Sequence, residues 1–365
     1  MKLTAEREKL LAPLQAVIGV VERRQTMPVL ANVLLGATQG RLSVTATDLE
    51  VELVASTELS VQQTGDITVP GRKFLDILRA LPEKVTVTIT AEGDKAIVKA
   101  GRSRFTLATL PAAEFPIIED INSQQSVQIL HKELSRLLEK THFSMAQQDV
   151  RYYLNGMLLE IDGQSLRAVA TDGHRLALSE ATLESKAKSS QQVIVPRKGV
   201  LELQRVLTPE GTASVAIGSN HVRAQIGDVR FTSKLIDGRF PEYSRVIPSA
   251  PPAAVRADRD VLRQALQRTA ILSNEKYRGI RINMRKNAMT VQAHNPEQEE
   301  AEEEIEVTYE GADLEVGFNV NYLLDALSAI DGQDVEIGLT DSNSSCLIRS
   351  PGNATSRYVV MPMRL

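Results

Sequence analysis

The chain has 365 residues, of which 42% are hydrophobic and 24% are charged, and its formal net charge is −4. This length exceeds one ordinary hydrophobic core and suits two or three domains, and the composition is that of a globular protein. The small net charge excludes a uniformly basic nucleic-acid binder, so any such role must depend on how charge is distributed along the chain.

Cysteine content and hydropathy restrict the compartment. The single Cys346 excludes an internal disulfide and a multi-cysteine metal site, and it fits a reducing environment. No basic-then-apolar leader opens the chain, and no apolar run approaches the ~18 residues that a membrane-spanning helix needs. We therefore expect a cytoplasmic protein with no membrane partner.

One amphipathic helix occurs three times. Residues 69–81 read VPGRKFLDILRAL, residues 195–207 read VPRKGVLELQRVL, and residues 318–330 read FNVNYLLDALSAI. Apolar residues recur at helical spacing in each copy: Phe74, Ile77, Leu78 and Leu81, then Val200, Leu203 and Leu207, then Leu323, Leu327 and Ile330. The first two copies carry basic residues on the other face, and the third has none: Arg72, Lys73 and Arg79, then Arg197, Lys198 and Arg205.

The spacing of these copies predicts a triplicated domain. They lie about 125 residues apart, far more than a solenoid repeat, so each copy marks a whole domain. Arg104-Phe-Thr, Arg230-Phe-Thr and Arg357-Tyr-Val recur at the same interval. Residues 122–126 are polar without periodicity, and residues 248–252 are rich in proline, which is typical of linkers. We predict domains at 1–122, 123–248 and 249–365.

Each third contains a second amphipathic helix and several strands. The predicted helix stripes comprise Leu10, Leu11, Leu14, Val17, Ile18 and Val21, then Leu134, Leu137, Leu138 and Phe143, then Val261, Leu262, Leu266 and Ile271. Alternating segments such as 41–47 and 85–90 predict strands, and residues 92–94, 218–220 and 341–343 predict hairpin turns. The fold class is therefore α+β, with six helices and antiparallel sheets, two helices in each domain.

Charge is spread unevenly. The first third is rich in basic residues, whereas residues 297–306 hold seven glutamates. Such an acidic run usually forms a solvated surface or a disordered tail. Here it occupies the place of a strand in the first two repeats, which favours an ordered acidic edge. A basic first domain and an acidic third domain suit head-to-tail association between chains.

The sequence shows no recognisable catalytic motif. It has no glycine-rich phosphate loop, no G-x-S-x-G and no H-E-x-x-H. Asp172 and His174 could form an acid–base dyad, but no nucleophile accompanies them, and the first repeat keeps only the aspartate. The alternative interpretation is a structural turn that exposes His174 and Arg175 to a partner. We expect no enzyme, no cofactor and no metal.

Four segments give the chain a close resemblance to a known family. Residues 148–156 read QDVRYYLNG, residues 171–176 read TDGHRL, residues 231–241 read FTSKLIDGRFP, and the chain ends VMPMRL. Over its whole length it resembles the bacterial sliding clamp, the β subunit of DNA polymerase III. The resemblance implies a non-catalytic dimeric ring of six similar domains that encircles duplex DNA and tethers the replicative polymerase.

The resemblance also implies which residues contact DNA and which join the two chains. The implied DNA-binding residues are Arg24, Arg72, Lys73, Gln148, Tyr152, Tyr153, Arg197 and Lys198. The implied interface joins the first domain of one chain to the third domain of the other: Arg102, Arg104, Phe105 and Leu107 face Ile271, Leu272, Glu299, Glu300, Glu302 and Glu303. Since the third copy of the helix, residues 318–330, has no basic residue, we expect uneven DNA contact around the ring.

A partner cleft between the second and third domains is implied as well. Its residues are Leu154, Thr171, Gly173, His174, Arg175, Leu176, Pro241, Arg245, Val246, Val359, Val360, Met361, Pro362, Met363, Arg364 and Leu365. This cleft would explain an apolar C-terminal segment where polar residues are usual. The implied partners are the polymerase III alpha subunit, clamp-loader subunits, translesion polymerases, mismatch-repair proteins and ligase, each inserting a motif of the form Gln-Leu-x-Leu-Phe.

Two other functions compete with a clamp. A hydrolase would use Asp172 and His174, and the missing nucleophile argues against it. A ring that binds only proteins would not need basic helix faces, which the first two repeats have. From the residues alone, the sequence favours a triplicated α+β binding scaffold.

Overall fold

A computed structural model of the chain describes residues 1–21, 27–118, 121–248 and 254–364. These residues contain six α-helices, two in each third of the sequence, as predicted. The helices are α1 (Arg7–Val17), α2 (Gly71–Ala80), α3 (His131–Thr141), α4 (Arg197–Val206), α5 (Arg259–Thr269) and α6 (Val320–Ala329). None of them is long and apolar enough to cross a membrane.

The strands also repeat by thirds. The first third has β1 (Lys2–Glu6), β2 (Asn32–Thr38), β3 (Arg41–Thr47), β4 (Val51–Glu58), β5 (Ser60–Gln63), β6 (Gly65–Pro70), β7 (Thr86–Glu92), β8 (Lys95–Ala100) and β9 (Ser103–Ala108). The second has β10 (Gln125–Leu130), β11 (Gly156–Asp162), β12 (Ser165–Thr171), β13 (Arg175–Thr182), β14 (Gln191–Pro196), β15 (Thr212–Ile217), β16 (His221–Ile226) and β17 (Val229–Lys234). The third has β18 (Ala254–Asp258), β19 (Gly279–Arg285), β20 (Ala288–His294), β21 (Glu300–Glu306), β22 (Leu314–Asn319), β23 (Asp334–Gly338), β24 (Cys346–Arg349) and β25 (Ser356–Val360).

The chain folds into two compact units. The first unit comprises Met1–Leu134, Leu183–Ser189 and Lys198–Leu235, and the second comprises Ser135–Thr182, Ser190–Arg197 and Ile236–Leu365. The first unit holds a five-stranded sheet of order β5-β1-β7-β8-β9 and an eight-stranded sheet of order β10-β15-β16-β17-β4-β3-β2-β6. The second holds an eight-stranded sheet of order β14-β11-β12-β13-β25-β24-β23-β18 and a four-stranded sheet of order β21-β20-β19-β22.

Each eight-stranded sheet combines four strands from each of two neighbouring thirds. In the first unit β17 pairs antiparallel with β4, with Phe231 opposite Leu53. In the second unit β13 pairs antiparallel with β25, with Ala177 opposite Tyr358. These ladders join strands from different repeats into one sheet. The chain therefore forms two compact units, although its sequence repeats three times. The predicted domain limits of 1–122, 123–248 and 249–365 remain a prediction.

Burial follows the predicted helix faces at most positions. Leu11, Ile18 and Phe143 are half-buried, and Ile271 of the third predicted stripe is 74% exposed. In α2, Phe74 and Leu78 are buried, but Leu75 takes the place of the half-buried Ile77. Leu207 is half-buried, and Val206 lies in the core instead. Val261 was predicted to be buried and is 49% exposed, because α5 turns only Leu262, Ala265, Leu266 and Thr269 inward.

Candidate functional site

A cavity of about 190 Å³ lies in the second unit. Most of its lining residues belong to the predicted partner cleft: Leu154, Thr171, Gly173, Arg175, Leu176, Pro241, Val246, Val359 and Met361. Leu154, Leu176 and Val359 are almost fully buried and give the cavity an apolar wall. Such a cavity suits a few apolar side chains, with polar groups at its rim that fix their orientation. We call this cavity the partner pocket.

The TDGHR segment forms one rim of the partner pocket as a self-contained turn. The Asp172 Oδ1 atom accepts hydrogen bonds from the backbone N–H groups of His174 and Arg175, at 2.9 and 3.0 Å. Gly173 adopts φ +89°, and a Cβ there would lie only 2.9 Å from the Arg151 guanidinium. Glycine is thus needed for both the backbone conformation and the space. The Asp172 carboxylate serves the turn, which agrees with the structural alternative rather than with an acid–base dyad.

Arg175 anchors this turn to the third repeat. Its guanidinium makes a 2.5 Å ion pair with Asp325 of α6 and donates to the Phe143 carbonyl at 2.7 Å. It also lies 4.7 Å from the centre of the Tyr322 ring, within cation–π distance. Arg175 was predicted to be exposed to a partner, but these contacts occupy most of its donors. It therefore fixes the rim and has few donors left for a ligand.

The C-terminal segment is held by backbone hydrogen bonds. The Met361 N–H donates to the His174 carbonyl, and the Met363 N–H donates to the Gly317 carbonyl, each at 2.9 Å. Met361 lines the partner pocket, whereas Met363 and Arg364 line a separate cavity of about 310 Å³. The C-terminal segment was predicted to line one partner cleft, but its residues line two separate cavities. Leu365 lies outside the described residues.

The remaining predicted cleft residues do not line the partner pocket. His174 has its ring 6.4 Å from that of Tyr322, in a stacked arrangement. The Arg245 side chain is 80% exposed and pairs with Glu242 at 2.7 Å. Val360 is buried at the end of β25, and Pro362 is half-buried beside it. These residues surround the pocket and support its rim.

Four lining residues were not predicted for the cleft: Arg151, Tyr153, Glu242 and Tyr243. Arg151 forms a forked ion pair with Asp149, which lowers the pKa of that carboxyl to about 2, and it also donates to the Asp172 carbonyl at 3.2 Å. Tyr153 was assigned to DNA, yet it is half-buried here. Glu242 and Tyr243 directly follow Pro241, a predicted cleft residue, and this adjacency was the sequence signal that could have placed them in the cleft.

The predicted DNA-binding residues of the first unit differ in how far their charged groups are exposed and unpaired within the chain. Arg72 and Lys73 are exposed on α2, although Arg72 donates to the Val21 carbonyl at 2.6 Å. Lys198 was predicted to be outside, but it is half-buried and its Nζ lies 2.5 Å from the Asp48 carboxylate. Asp48 closes the first-repeat counterpart of the TDGHR turn. The charge of Lys198 is thus balanced within the chain. Arg24 lies outside the described residues.

The second unit contains the other predicted DNA contacts. Gln148 is exposed with φ +56°, and Tyr152 is 57% exposed with its ring 5.8 Å from that of Tyr153. Arg197 is half-buried at the start of α4, and its Nη1 atom is buried with no hydrogen-bond partner among the described residues. Burial, followed by the nearby charge of Arg175, lowers the pKa of Arg197. Burial removes Arg197 from the solvated helix face on which it was predicted.

Three of the predicted interface residues of the first third, Arg104, Phe105 and Leu107, lie on β9, an edge strand of its sheet, and Arg102 lies in the turn just before it. Arg102 and Arg104 are exposed, and Phe105 is half-buried. Leu107 is only 7% exposed, so most of its apolar surface is already covered within the chain. An edge strand presents unpaired backbone groups that can pair with another chain.

The acidic residues of the last third form β21, also an edge strand. This confirms the ordered acidic edge. Glu299, Glu300 and Glu302 are exposed, but Glu303 makes a forked pair with Arg268 of the same chain, at 2.6 and 2.7 Å. Ile271 is 74% exposed, whereas Leu272 is half-buried.

Comparison with known proteins finds one family along the chain. The N-terminal, central and C-terminal domains of the DNA polymerase III beta subunit match residues 1–119, 128–242 and 244–364. The beta sliding clamps of Pseudomonas putida and Escherichia coli are 56% and 52% identical over 367 residues, with 100% of each chain covered.

Solved structures agree with this match. The DNA polymerase sliding clamp from Pseudomonas aeruginosa, in a structure with ligand, is 54% identical with a TM-score of 0.98, and all of both chains is covered. The polymerase III beta protein of Caulobacter crescentus is 39% identical with a TM-score of 0.95, again over 100% of both chains. The triplicated α+β architecture, the three matched domains and this full-length identity place the chain in the family of the DNA polymerase III beta subunit, the beta sliding clamps.

Proposed function

We propose that two copies of this chain close head to tail into a ring around duplex DNA, and that the ring tethers the replicative polymerase and other partners through the partner pocket. As a beta sliding clamp the chain serves DNA replication and is not an enzyme. The observation that carries the proposal is the full-length match to beta sliding clamps, at 51–56% identity. The details below are argued from the chain itself.

The repeat pattern supplies the joint between chains. The motif that begins at Arg104, Arg230 and Arg357 makes β9, β17 and β25 equivalent strands. By the same repeat, β4, β13 and β21 are equivalent. Within the chain β17 pairs with β4 and β25 pairs with β13, whereas β9 and β21 are both at sheet edges. A joint between β9 of one chain and β21 of another would complete the pattern, and two such joints close a ring.

The same equivalence predicts the register of this joint. Leu53, Ala177 and Ala301 hold matching positions in their hairpins, opposite Ala46, Ala170 and Ala293. Phe231 lies opposite Leu53, and Tyr358 lies opposite Ala177. Phe105 should therefore lie opposite Ala301 of the other chain, which puts Arg104 opposite Glu302. Opposite charges at directly facing positions stabilise an antiparallel pair.

Apolar and charged residues have different tasks at this joint. Ile271 is the most exposed apolar residue of the proposed interface, so it can bury the most additional surface when the two chains associate. Exposed arginines at β9, Arg102 just before it and Arg104 within it, and glutamates of β21 orient the chains and exclude wrong pairings more than they add affinity. Among these glutamates, Glu303 should contribute least to the joint, because its carboxylate is already paired with Arg268 of the same chain.

Contact with DNA would be electrostatic and independent of sequence. Arg72 and Lys73 present exposed cations on α2, and Tyr152 and Gln148 present exposed polar groups. Such contacts hold phosphates without reading bases. The third repeat has no basic residue on α6, so its contribution should be small. A ring retained by topology needs only weak contacts of this kind.

The partner pocket would receive the apolar side chains of a short linear motif. It combines an apolar wall with a rim fixed by Asp172 and Arg175, which suits a peptide in extended conformation. The relative from Pseudomonas aeruginosa has been solved bound to griselimycin. Proposed users of one shared pocket are the polymerase III alpha subunit, clamp-loader subunits, translesion polymerases, mismatch-repair proteins and ligase, in the cytoplasm and without a cofactor.

Primer extension tests this function. The replicative polymerase and clamp loader of the same cell copy a singly primed circular template under single-hit conditions, with and without this chain. We expect much longer products with the chain present, and a return to short products when excess Gln-Leu-x-Leu-Phe peptide is added. Product lengths that do not depend on the chain would refute the proposal.

A further inference from the structure

The wall of the partner pocket that contains Tyr243 is supported by packing on one side only. Tyr243 packs against the buried cluster that includes Leu158 and Phe240, whereas Pro241 and Glu242 are exposed. Pro241, Glu242 and Tyr243 line the partner pocket and also a second cavity, of about 370 Å³. A segment with open space on two sides lacks the neighbouring atoms that hold a core residue in place. A directional contact at Tyr243 would therefore add to the packing that holds this wall.

The phenol of Tyr243 provides that support. Its hydroxyl donates to Glu160 Oε2 at 2.5 Å, and Glu160 Oε1 accepts from Arg167 Nη1 at 3.3 Å. Glu160 on β11 and Arg167 on β12 are directly paired in the ladder, so both sit on a rigid sheet. Arg167 Nε in turn donates to Glu180 at 3.1 Å. A hydrogen bond to an ionised carboxylate is about twice as strong as a neutral one.

The Tyr243 hydroxyl stays a donor under working conditions. Burial, with the added effect of the Glu160 carboxylate, raises the pKa of Tyr243 to about 12. The phenol is consequently protonated throughout the physiological range. The bond is a permanent tie between the pocket wall and the sheet below it.

We propose that Tyr243, tied to Glu160, is a positioning residue that holds the Pro241–Tyr243 wall of the partner pocket in its peptide-binding shape. This inference rests on the proposed function of the pocket. A wall held in place before binding spares the peptide the cost of ordering it, and that saving appears as affinity. Tyr243 thus acts through the shape of the wall, and its hydroxyl donates to Glu160, which lines the second cavity and not the partner pocket.

The substitution Tyr243→Phe removes the tie and keeps the ring. We expect the affinity for a Gln-Leu-x-Leu-Phe peptide, measured by fluorescence anisotropy, to fall about tenfold, close to the lower limit of the fold-change for a lost hydrogen bond to a charged group. The matched control is Tyr309→Phe. It removes another buried phenol in the same unit, one that donates to the Ala312 carbonyl at 2.8 Å and does not line the pocket. Its peptide affinity should not change.

Two further comparisons separate positioning from general destabilisation. Glu160→Gln keeps an oxygen for the phenol and should bind peptide nearly normally, whereas Glu160→Ala should match Tyr243→Phe. The double variant Tyr243→Phe with Glu160→Ala should bind the peptide no more weakly than Glu160→Ala alone, since both lack the same Tyr243–Glu160 hydrogen bond. A peptide whose final Phe is replaced by Ala should bind wild type and Tyr243→Phe equally, because its anchor no longer needs the wall.

Three results would overturn the inference. They are normal peptide affinity in Tyr243→Phe, an equal loss in Tyr309→Phe, and a loss that persists with the peptide lacking its final Phe. Failure of the wild-type chain to bind any peptide would instead refute the proposed pocket, and the inference with it. The first three results leave wild-type binding intact, so the two failures are distinguishable.

Discussion

Ile271 gives the proposed ring joint a quantitative test. Its side chain is 74% exposed in the single chain, so about three quarters of its burial is still available to a partner. Replacement by Ala removes three side-chain carbons worth ~0.8 kcal/mol each, or ~1.8 kcal/mol per joint after scaling by exposure. A closed ring has two such joints, so Ile271→Ala should weaken the dimer by ~3.6 kcal/mol, or ~400-fold in Kd.

Sedimentation equilibrium measures this change directly. The separated chain should keep its melting temperature, because Ile271 makes little contact within it. Val261→Ala is the matched control, since Val261 is an apolar residue of the same third that is 49% exposed and lies outside the proposed joint. Dimer stability in Ile271→Ala that equals that of Val261→Ala would refute the placement of the interface.

Three other predictions concern the joint, the pocket and the DNA face. Arg104→Cys with Glu302→Cys should oxidise to a chain-to-chain disulfide, whereas Arg104→Cys with Glu303→Cys should not, because neighbouring strand residues face opposite sides; Cys346 is buried and should not interfere. Deletion of residues 361–365 should abolish most binding of a Gln-Leu-x-Leu-Phe peptide in anisotropy assays and leave sedimentation unchanged; unchanged peptide affinity would show that the segment is not part of the pocket. Asp48→Asn should raise affinity for short duplexes by removing the carboxylate that pairs with Lys198, and adding Lys198→Ala to Asp48→Asn should lower that affinity again and reduce the log–log salt slope by about 0.9; equal salt slopes in the single and double variants would show that Lys198 contacts no phosphate.

The local elements could be predicted because they depend on short-range pattern. The helical spacing of Phe74 and Leu78 predicted the buried face of α2. The alternation in residues 41–47 predicted β3 at its observed limits, Arg41–Thr47. The repeat itself was visible in motifs such as that beginning at Arg230. The helix and strand signals lie within a few residues of each other, and the repeat is a comparison of the sequence with itself, so neither needs knowledge of tertiary contacts.

Non-local pairings could not be predicted in this way. Lys198 pairs with Asp48, 150 positions earlier in the sequence, and Glu303 on β21 pairs with Arg268 on α5, 35 positions earlier. Because these partners are distant in sequence, the charges of Lys198 and Glu303 appeared free in the sequence. The joining of β17 to β4 depends on which sheet edges meet, and an alternating strand pattern does not specify its neighbour. Tyr243 lies in an irregular segment, where no periodicity indicates which way a side chain points.

Retention on DNA tests the central claim most directly. The chain is loaded on a nicked circular duplex by the clamp loader of the same cell, washed with high salt, and then the circle is cut once with a restriction enzyme. A ring held by topology should survive the salt wash on the circle and leave after linearisation, because weak phosphate contacts do not hold it against free ends. Equal loss from circle and linear DNA under the same salt would contradict encirclement and would indicate ordinary electrostatic binding.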